Sequence, residues 1–238
     1  MESKKGVLFL IPNVLGDTAP LEVIPLSVKK TTEQLSYFVF EKEKAGRAFL
    51  KRLNPNIAQN NITVFLLNKF SATEEIQEII TALVEGNDIG LITDAGCPGI
   101  ADPGADLVAQ AHQNNIRVVP LVGPSSILLA VMSSGLNGQS FAFNGYLPID
   151  KTERKKTIKM YEKKSKELQQ TQVFIETPYR NNVLLEEFCK TLNPNTLLSI
   201  ACDITLPTEY IKTNTVGNWK SNKEDFLRRP VVFSLLVS

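Results

Sequence analysis

The residues best placed to do chemistry lie between Leu91 and Gly104, LITDAGCPGIADPG. A short apolar run, Leu91-Ile92-Thr93, breaks at Asp94 into a stretch holding three glycines (Gly96, Gly99, Gly104) and two prolines (Pro98, Pro103). Glycine admits positive φ and lets backbone approach a ligand closely. In open α/β sheets, ligands bind outside the carboxyl ends of the strands. A loop of this composition after a strand therefore predicts a shaped site for a small molecule. Its glycines run G-x-x-G-x-x-x-x-G, which is neither G-x-G-x-x-G nor a P-loop with its lysine. A phosphate cradle is disfavoured. The loop carries Asp94 and Asp102, and Asp17 lies on another strand-end loop. A neutral or cationic ligand held through backbone groups suits such a site. S-adenosylmethionine, with a sulfonium and no phosphate, has that chemistry. Asp102 also has a plain structural reading: followed by Pro103, it stands where the N-cap and N1 of a helix would stand.

The elements that must position this loop alternate. Gly6–Ile11 (GVLFLI) is a buried-strand run ending at Pro12. Asn13–Asp17 is a turn-rich loop. Thr18–Thr32 reads as helix despite Pro20 and Pro25, and Ser36–Phe40 as strand. Glu41–Leu53 places Ala45, Phe49, Leu50 and Leu53 on one helical face. Ile62–Leu67 is a strand. Ser71 and Glu74 have capping-box spacing for a helix that Gly86 closes. Asp88–Thr93 is the strand that leads into the loop, a helix follows to Asn114, and Ile116–Val122 is a strand. Such alternation marks a parallel α/β layer. Beyond it, Gly123-Pro124-Ser125-Ser126 caps a helix ending at Gly135, and Ser140–Phe143 is strand. Lys151–Gln170 is a charged helix, Gln172–Glu176 strand, Asn181–Leu192 helix and Leu197–Ile204 strand. Thr208–Val216 and Val231–Val237 are strands with little helix between them, which favours a mixed sheet with antiparallel pairs. The expected architecture is α/β in two domains, 1–122 and 123–238.

Composition narrows the function. Hydrophobic residues make up 43% and charged residues 21% of the 238 positions, as in ordinary globular proteins. A net charge of +1 creates no global field for nucleic acid. Cys97, Cys189 and Cys202 are scattered, without a C-x-x-C pair, and His112 is the single histidine. No zinc or other metal site is expected, and the thiols read as reduced and cytosolic. The five-residue apolar run before Pro12 is short for a secretory signal. No stretch approaches the roughly 18 apolar residues of a membrane span. A cytoplasmic protein without membrane contact is expected.

In order and spacing, D-A-G-C-P-G-I-A-D-P-G, V-V-P-L-V-G-P-S-S, F-A-F-N-G-Y-L-P and E-T-P-Y-R resemble the tetrapyrrole methylase superfamily of S-adenosylmethionine-dependent methyltransferases. G-Y-L-P, the basic helix after it and E-T-P-Y-R are most similar to the branch that 2′-O-methylates a cytidine ribose of 16S, small-subunit ribosomal RNA. The resemblance covers nearly the whole chain and is strongest over residues 86–180. It implies two α/β domains with the cofactor in a cleft between them, and a homodimer. It implies cofactor contacts from Pro12, Gly16, Asp94, Ala95, Gly96, Cys97, Pro98, Ala101, Ser125 and Ser126. It implies further contacts from Leu147, Ala201, Cys202, Asp203 and Ile204.

The departures cluster elsewhere. The branch usually has proline, a short spacer and glycine-asparagine after the first strand, where this chain has P-N-V-L-G-D. An acidic-acidic-threonine-arginine motif gives way to Glu41-Lys42-Glu43-Lys44, and a histidine-rich one to Leu67-Asn68-Lys69-Phe70. Arginine-glutamate is replaced by Cys202-Asp203, and glycine-glutamate near the C-terminus by Arg229-Pro230. The methyl-donor half is kept and the acceptor half is rewritten. For in-line transfer to a ribose hydroxyl, positioning supplies most of the effect and a general base assists. Glu176 is the candidate base, with Arg180 holding a phosphate or Glu176 itself; Lys69 is a weaker candidate. Glu176 is equally readable as a cap or as a simple partner of Arg180.

Lys151–Lys166 is dense in lysine and arginine. It reads as a solvated helix face or, in this family, as an RNA-phosphate surface that includes Arg154, Lys155, Lys156 and Lys159. Trp219, Phe141, Phe143 and Tyr146 could stack on a base, or pack in the core. Two alternatives to ribosomal RNA methylation remain open at this point. One is methylation of a tetrapyrrole-like small molecule; the other is a cofactor- and RNA-binding protein that has lost catalysis.

Overall fold

A computed structural model of the chain describes residues 4–68 and 73–237. They fall into two compact units, Met1–Ser125 and Ser126–Ser238. The first contains β1 (Val7–Ile11), α1 (Pro20–Val23), α2 (Leu26–Thr32), β2 (Tyr37–Phe40) and α3 (Glu43–Leu53). It continues with β3 (Thr63–Leu66), α4 (Thr73–Val84), β4 (Ile89–Ile92), α5 (Ala105–Gln113) and β5 (Arg117–Pro120). The strands form a parallel sheet in the order β3-β2-β4-β1-β5. Both faces are covered, which is why β2 and β4 are apolar throughout. Leu8, Val39 and Leu91 pack against Ile79, Ile80 and Leu83 of α4 and Leu107 of α5. Ile11, Phe38, Phe40 and Ile92 pack against Val28 of α2 and Phe49, Leu50 and Leu53 of α3.

Two expectations need correction here. Residues 18–32 form two short helices, because Pro25, without an N–H, becomes the N-cap of α2. The N-cap of α5 is Gly104, at φ 131°, and no side chain caps the helix. Asp102 thus belongs to the loop. The proposed capping residue Ser71 and the candidate Lys69 lie outside the described residues.

The second unit contains α6 (Ser126–Ser134), β6 (Phe141–Tyr146), α7 (Lys151–Leu168), β7 (Thr171–Ile175) and α8 (Asn181–Thr191). It ends with β8 (Leu197–Cys202), β9 (Tyr210–Thr215), α9 (Val216–Trp219) and β10 (Val231–Leu236). Its sheet is mixed, in the order β6-β7-β10-β8-β9: β6 and β7 are parallel, and β10 runs antiparallel to β7 and β8. One face carries Phe174, Phe233 and Ile200 against Ile158 of α7 and Leu184 and Phe188 of α8. On the other face lies α6, where Thr213 Oγ1 donates to Ser134 O at 2.6 Å. Trp219 is buried in this core, and its Nε1 donates to Leu198 O at 2.8 Å. Its indole is therefore closed to a nucleobase.

Chain direction gives this sheet a functional edge. The carboxyl ends of β6, β7 and β8 and the start of β10 meet there, as Ile175 pairs with Val232 and Cys202 with Val231. Leu147, Glu176 and Ala201–Ile204 consequently share one end of the sheet.

Candidate functional site

In the first unit, the loops leaving β1 and β4 are tied together by one side chain. Asn13 forms an isolated antiparallel bridge with Gly96, with N–H···O distances of 2.8 and 3.2 Å. Its Nδ2 donates to Thr93 O at 2.8 Å and Asp94 O at 3.1 Å, and its Oδ1 accepts from Val14 N at 2.8 Å. Only an amide with both a donor and an acceptor end can make this set of bonds. The loop after β5 joins them. Cys97 Sγ donates to Pro124 O at 3.4 Å, and a Cβ on Gly123 would sit 2.2 Å from Pro12 Cγ. The adjacent strands β1 and β4 send their connections to opposite edges of the sheet, the arrangement that opens a ligand crevice.

The loop residues keep the shape that their composition predicts. Gly96 has φ 69° and Ala101 φ 63°. Ala101 is a non-glycine residue in the left-handed region, a strain of the kind found at ligand sites. Ala95 and Ala101 are exposed, whereas Cys97, Pro98, Ser125 and Ser126 are half-buried. Burial raises the Cys97 thiol above its usual range, so it is no nucleophile. A cavity of about 280 Å³ adjoins the loops, with Gly16, Phe49, Arg52, Asp94 and Ala95 among its walls.

Sequence reasoning missed Asn13 as the fastener, and it missed Lys42 as a partner of the loop. Lys42 Nζ donates to Asp94 Oδ2 in an ion pair, which raises the lysine's pKa. Asp102 lies in the same field. Burial first, then the charges of Glu41 and Asp94, push its carboxyl up to about 6, partly offset by Lys42. A carboxyl raised by folding contributes stability that is full below its unfolded value and lost as pH rises through the folded one. Asp102→Asn should therefore melt higher than the unchanged chain at pH 7.5, with the gap closing toward pH 4. Melting curves at the two pH values check this, and a gap that widens on acidification would contradict it.

In the second unit, the Glu176 side chain is 1% exposed. Its Oε1 accepts from Thr177 N at 2.6 Å and from Arg180 Nη2 and Nε at 2.6 and 3.1 Å. The carboxylate is largely buried and bonds Arg180 through Oε1, while the Arg180 side chain is 30% exposed with Nη1 outside the pair. Beside it, Asp203 at φ 50° accepts through Oδ2 from Arg229 Nε at 2.8 Å and Thr208 Oγ1 at 2.7 Å. Arg229 Nη2 also donates to Thr208 O at 2.7 Å. Two departures from the family pattern, at 203 and 229, are therefore one contact. Leu147, Ala201, Cys202 and Ile204 are buried, so these positions can offer a ligand mainly backbone. The Cys202 thiol, pushed up to about 12 chiefly by burial, is inert.

Arg154 does not belong to the exposed basic surface. It is buried, pairs through Nε and Nη2 with Glu187, and donates from Nη1 to Pro148 O and Ile149 O. Its place on the stripe of Ile158, Tyr161 and Ser165 (i, i+4, i+7, i+11) was the available signal. Lys155, Lys156 and Lys159 are exposed.

The two sheets and their topology define a two-unit α/β protein. Residues 14–219 match the model of the tetrapyrrole (corrin/porphyrin) methylases; the chain belongs to that family. It is 30% identical over 226 residues to a protein of Buchnera aphidicola subsp. Schizaphis graminum named ribosomal RNA small subunit methyltransferase I. That match covers 94% of this chain and 74% of the relative. Proteins of the same name from Haemophilus influenzae (32%, covering 92% and 73%) and Escherichia coli O157:H7 (28%, covering 99% and 79%) are similar throughout. Among solved structures, the methyltransferase CobJ superposes with a TM-score of 0.62 at 14% identity, covering 98% of this chain and 94% of that one. The uroporphyrin-III-C-methyltransferase of Thermus thermophilus does so with 0.56 at 15%, again covering 98% and 94%. At such identities the likeness is one of fold.

Proposed function

We propose that the chain is an S-adenosylmethionine-dependent methyltransferase that 2′-O-methylates a cytidine ribose in small-subunit (16S) ribosomal RNA, acting in the cytoplasm as a homodimer. The observation that carries the reading is its similarity, over most of its length, to relatives named for methylating that RNA. The donor loop supports it. Asn13 holds Gly96 in place, and the exposed alanines leave room above the backbone. In the first unit we assign the cofactor to Pro12, Gly16, Asp94–Pro98, Ala101 and Ser125, whose loop geometry suits it. For Ser126, Leu147 and Ala201–Ile204 of the second unit the assignment rests on the family likeness alone.

When bound, the donor supplies an electrophilic methyl group. The chain's part is to hold a ribose hydroxyl in line with it, where orientation supplies most of the rate. Arg180 meets a phosphate with its unpaired edge, and Glu176 fixes the guanidinium in place. The hydroxyl proton leaves to solvent or to the substrate's own phosphate. Glu176→Gln should lower kcat about tenfold, less than the roughly hundredfold or more expected for loss of a general base. The pH–rate profile of the variant should keep the shape it has in the unsubstituted chain; an acidic limb that the substitution abolishes would make Glu176 the base.

The decisive experiment combines purified protein, methyl-labelled S-adenosylmethionine and small subunits isolated without this modification. Label in a ribose of the RNA is expected. Transfer to a tetrapyrrole but not to RNA would reject the assignment.

A further inference from the structure

Helix α7 leaves the edge of the second sheet that holds Glu176 and Asp203 and runs to the opposite edge, where β7 begins. The buried stripe of Arg154, Ile158 and Ser165 fixes its rotation. Lys155, Lys159, Lys163 and Lys166 then follow one another down a single flank, spanning about 16 Å at 1.5 Å per residue. The far end of this row is one wall of a cavity of about 420 Å³; the other wall is the loop between α8 and β8, with Asn193, Asn195 and Thr196. Glu162 Oε1, inside the groove, accepts from Asn193 N at 2.7 Å and Thr196 Oγ1 at 2.6 Å. These bonds hold the loop against the helix and turn Oε1 toward it; the groove's three lysines, Lys159, Lys163 and Lys166, outnumber this one carboxylate. Lys163 is 3.6 Å from Glu167, but both are largely exposed, so this contact binds the lysine only weakly.

Resting on the reading of the chain as an RNA methyltransferase, we infer that this groove is a docking site for the sugar–phosphate backbone of the substrate RNA. It lies on the far side of the unit from the residues proposed to meet the reacting ribose. Flexible lysines facing short amides suit phosphates and sugar hydroxyls, and they carry no readout of base sequence. The row of lysines joins the groove to the Glu176 edge, so bound RNA follows α7. The groove therefore sets the length of RNA that the protein needs, not the nucleotide that it modifies.

The test is the triple variant Lys159→Gln, Lys163→Gln and Lys166→Gln, beside Lys190→Gln, whose ammonium bonds Glu186 at 2.8 Å on α8. For binding to small-subunit RNA, the slope of log K against log salt should fall by roughly 2–3 in the triple variant. It should stay unchanged in Lys190→Gln. KM for the RNA should rise ten- to hundredfold, with kcat and calorimetric affinity for S-adenosylmethionine preserved. A scrambled RNA of equal length should lose affinity by the same factor. A short oligonucleotide around the methylated site should be insensitive to the substitutions. Unchanged slope and KM in the triple variant, while the unsubstituted chain binds and methylates RNA, would overturn the groove alone. Failure of the unsubstituted chain to bind RNA in a salt-dependent way would overturn both the groove and the proposed function.

Discussion

Arg154→Ala is expected to cost about 3–5 kcal/mol of folding stability, the usual penalty for stranding one half of a buried ion pair. It should leave the salt dependence of RNA binding unchanged. The side chains of Arg154 and Glu187 are 10% and 13% exposed. The guanidinium also satisfies the carbonyls of Pro148 and Ile149, at 3.0 and 2.7 Å, just before α7 begins. Its removal orphans a carboxylate and two backbone acceptors together. The hydrogen bond from Arg154 holds the Glu187 carboxyl below its ordinary value of 4.5. A carboxyl depressed in the fold contributes stability above its unfolded pKa, and that contribution is lost as pH falls through the folded one. The deficit of the variant should accordingly be full at neutral pH and should narrow below 4.5. Denaturant melts at pH 7 and pH 3.5 measure it. A variant that keeps its stability but loses one phosphate's worth of salt slope would return Arg154 to the RNA surface.

Gly96→Val should weaken S-adenosylmethionine binding roughly ten- to hundredfold, matching the 1–3 kcal/mol strain of a left-handed non-glycine residue. The cause is conformational. A Cβ at Gly96 would meet Leu15 Cδ2 at 3.4 Å and Pro124 O at 3.9 Å, which is ordinary contact, but φ is 69°. A β-branched residue there drives the backbone toward negative φ and breaks the bridge to Asn13. Titration calorimetry reads the affinity directly. Unchanged affinity would remove this loop from the donor site.

The strands and helices were legible because apolar periodicity is a local signal, and β1, β2, β4 and β5 are short apolar runs between turns. The donor loop was legible because its glycines and prolines are contiguous. What escaped were contacts between residues distant in sequence. Lys42 meets Asp94 across 52 positions, and Arg154 meets Glu187 across 33. A charged residue carries no mark of its partner, so Arg154 read like the lysines around it. Asp102 escaped for another reason. The pair Asp-Pro before a helix fits a cap, but Gly104 turns the chain through positive φ and starts the helix two residues later.

The pairing of Asp203 with Arg229 has a consequence for how such proteins can be recombined. The two residues lie on opposite sides of the β9 hairpin segment, and the Asp203 carboxylate, 7% exposed, relies on Arg229, which is itself 28% exposed. A hybrid that took β8 from one relative and β10 from another would inherit either a carboxylate without its guanidinium or the reverse. Positions 203 and 229 therefore behave as a single inherited unit, and exchanging the acceptor half between relatives requires crossover points outside the whole interval that they bracket.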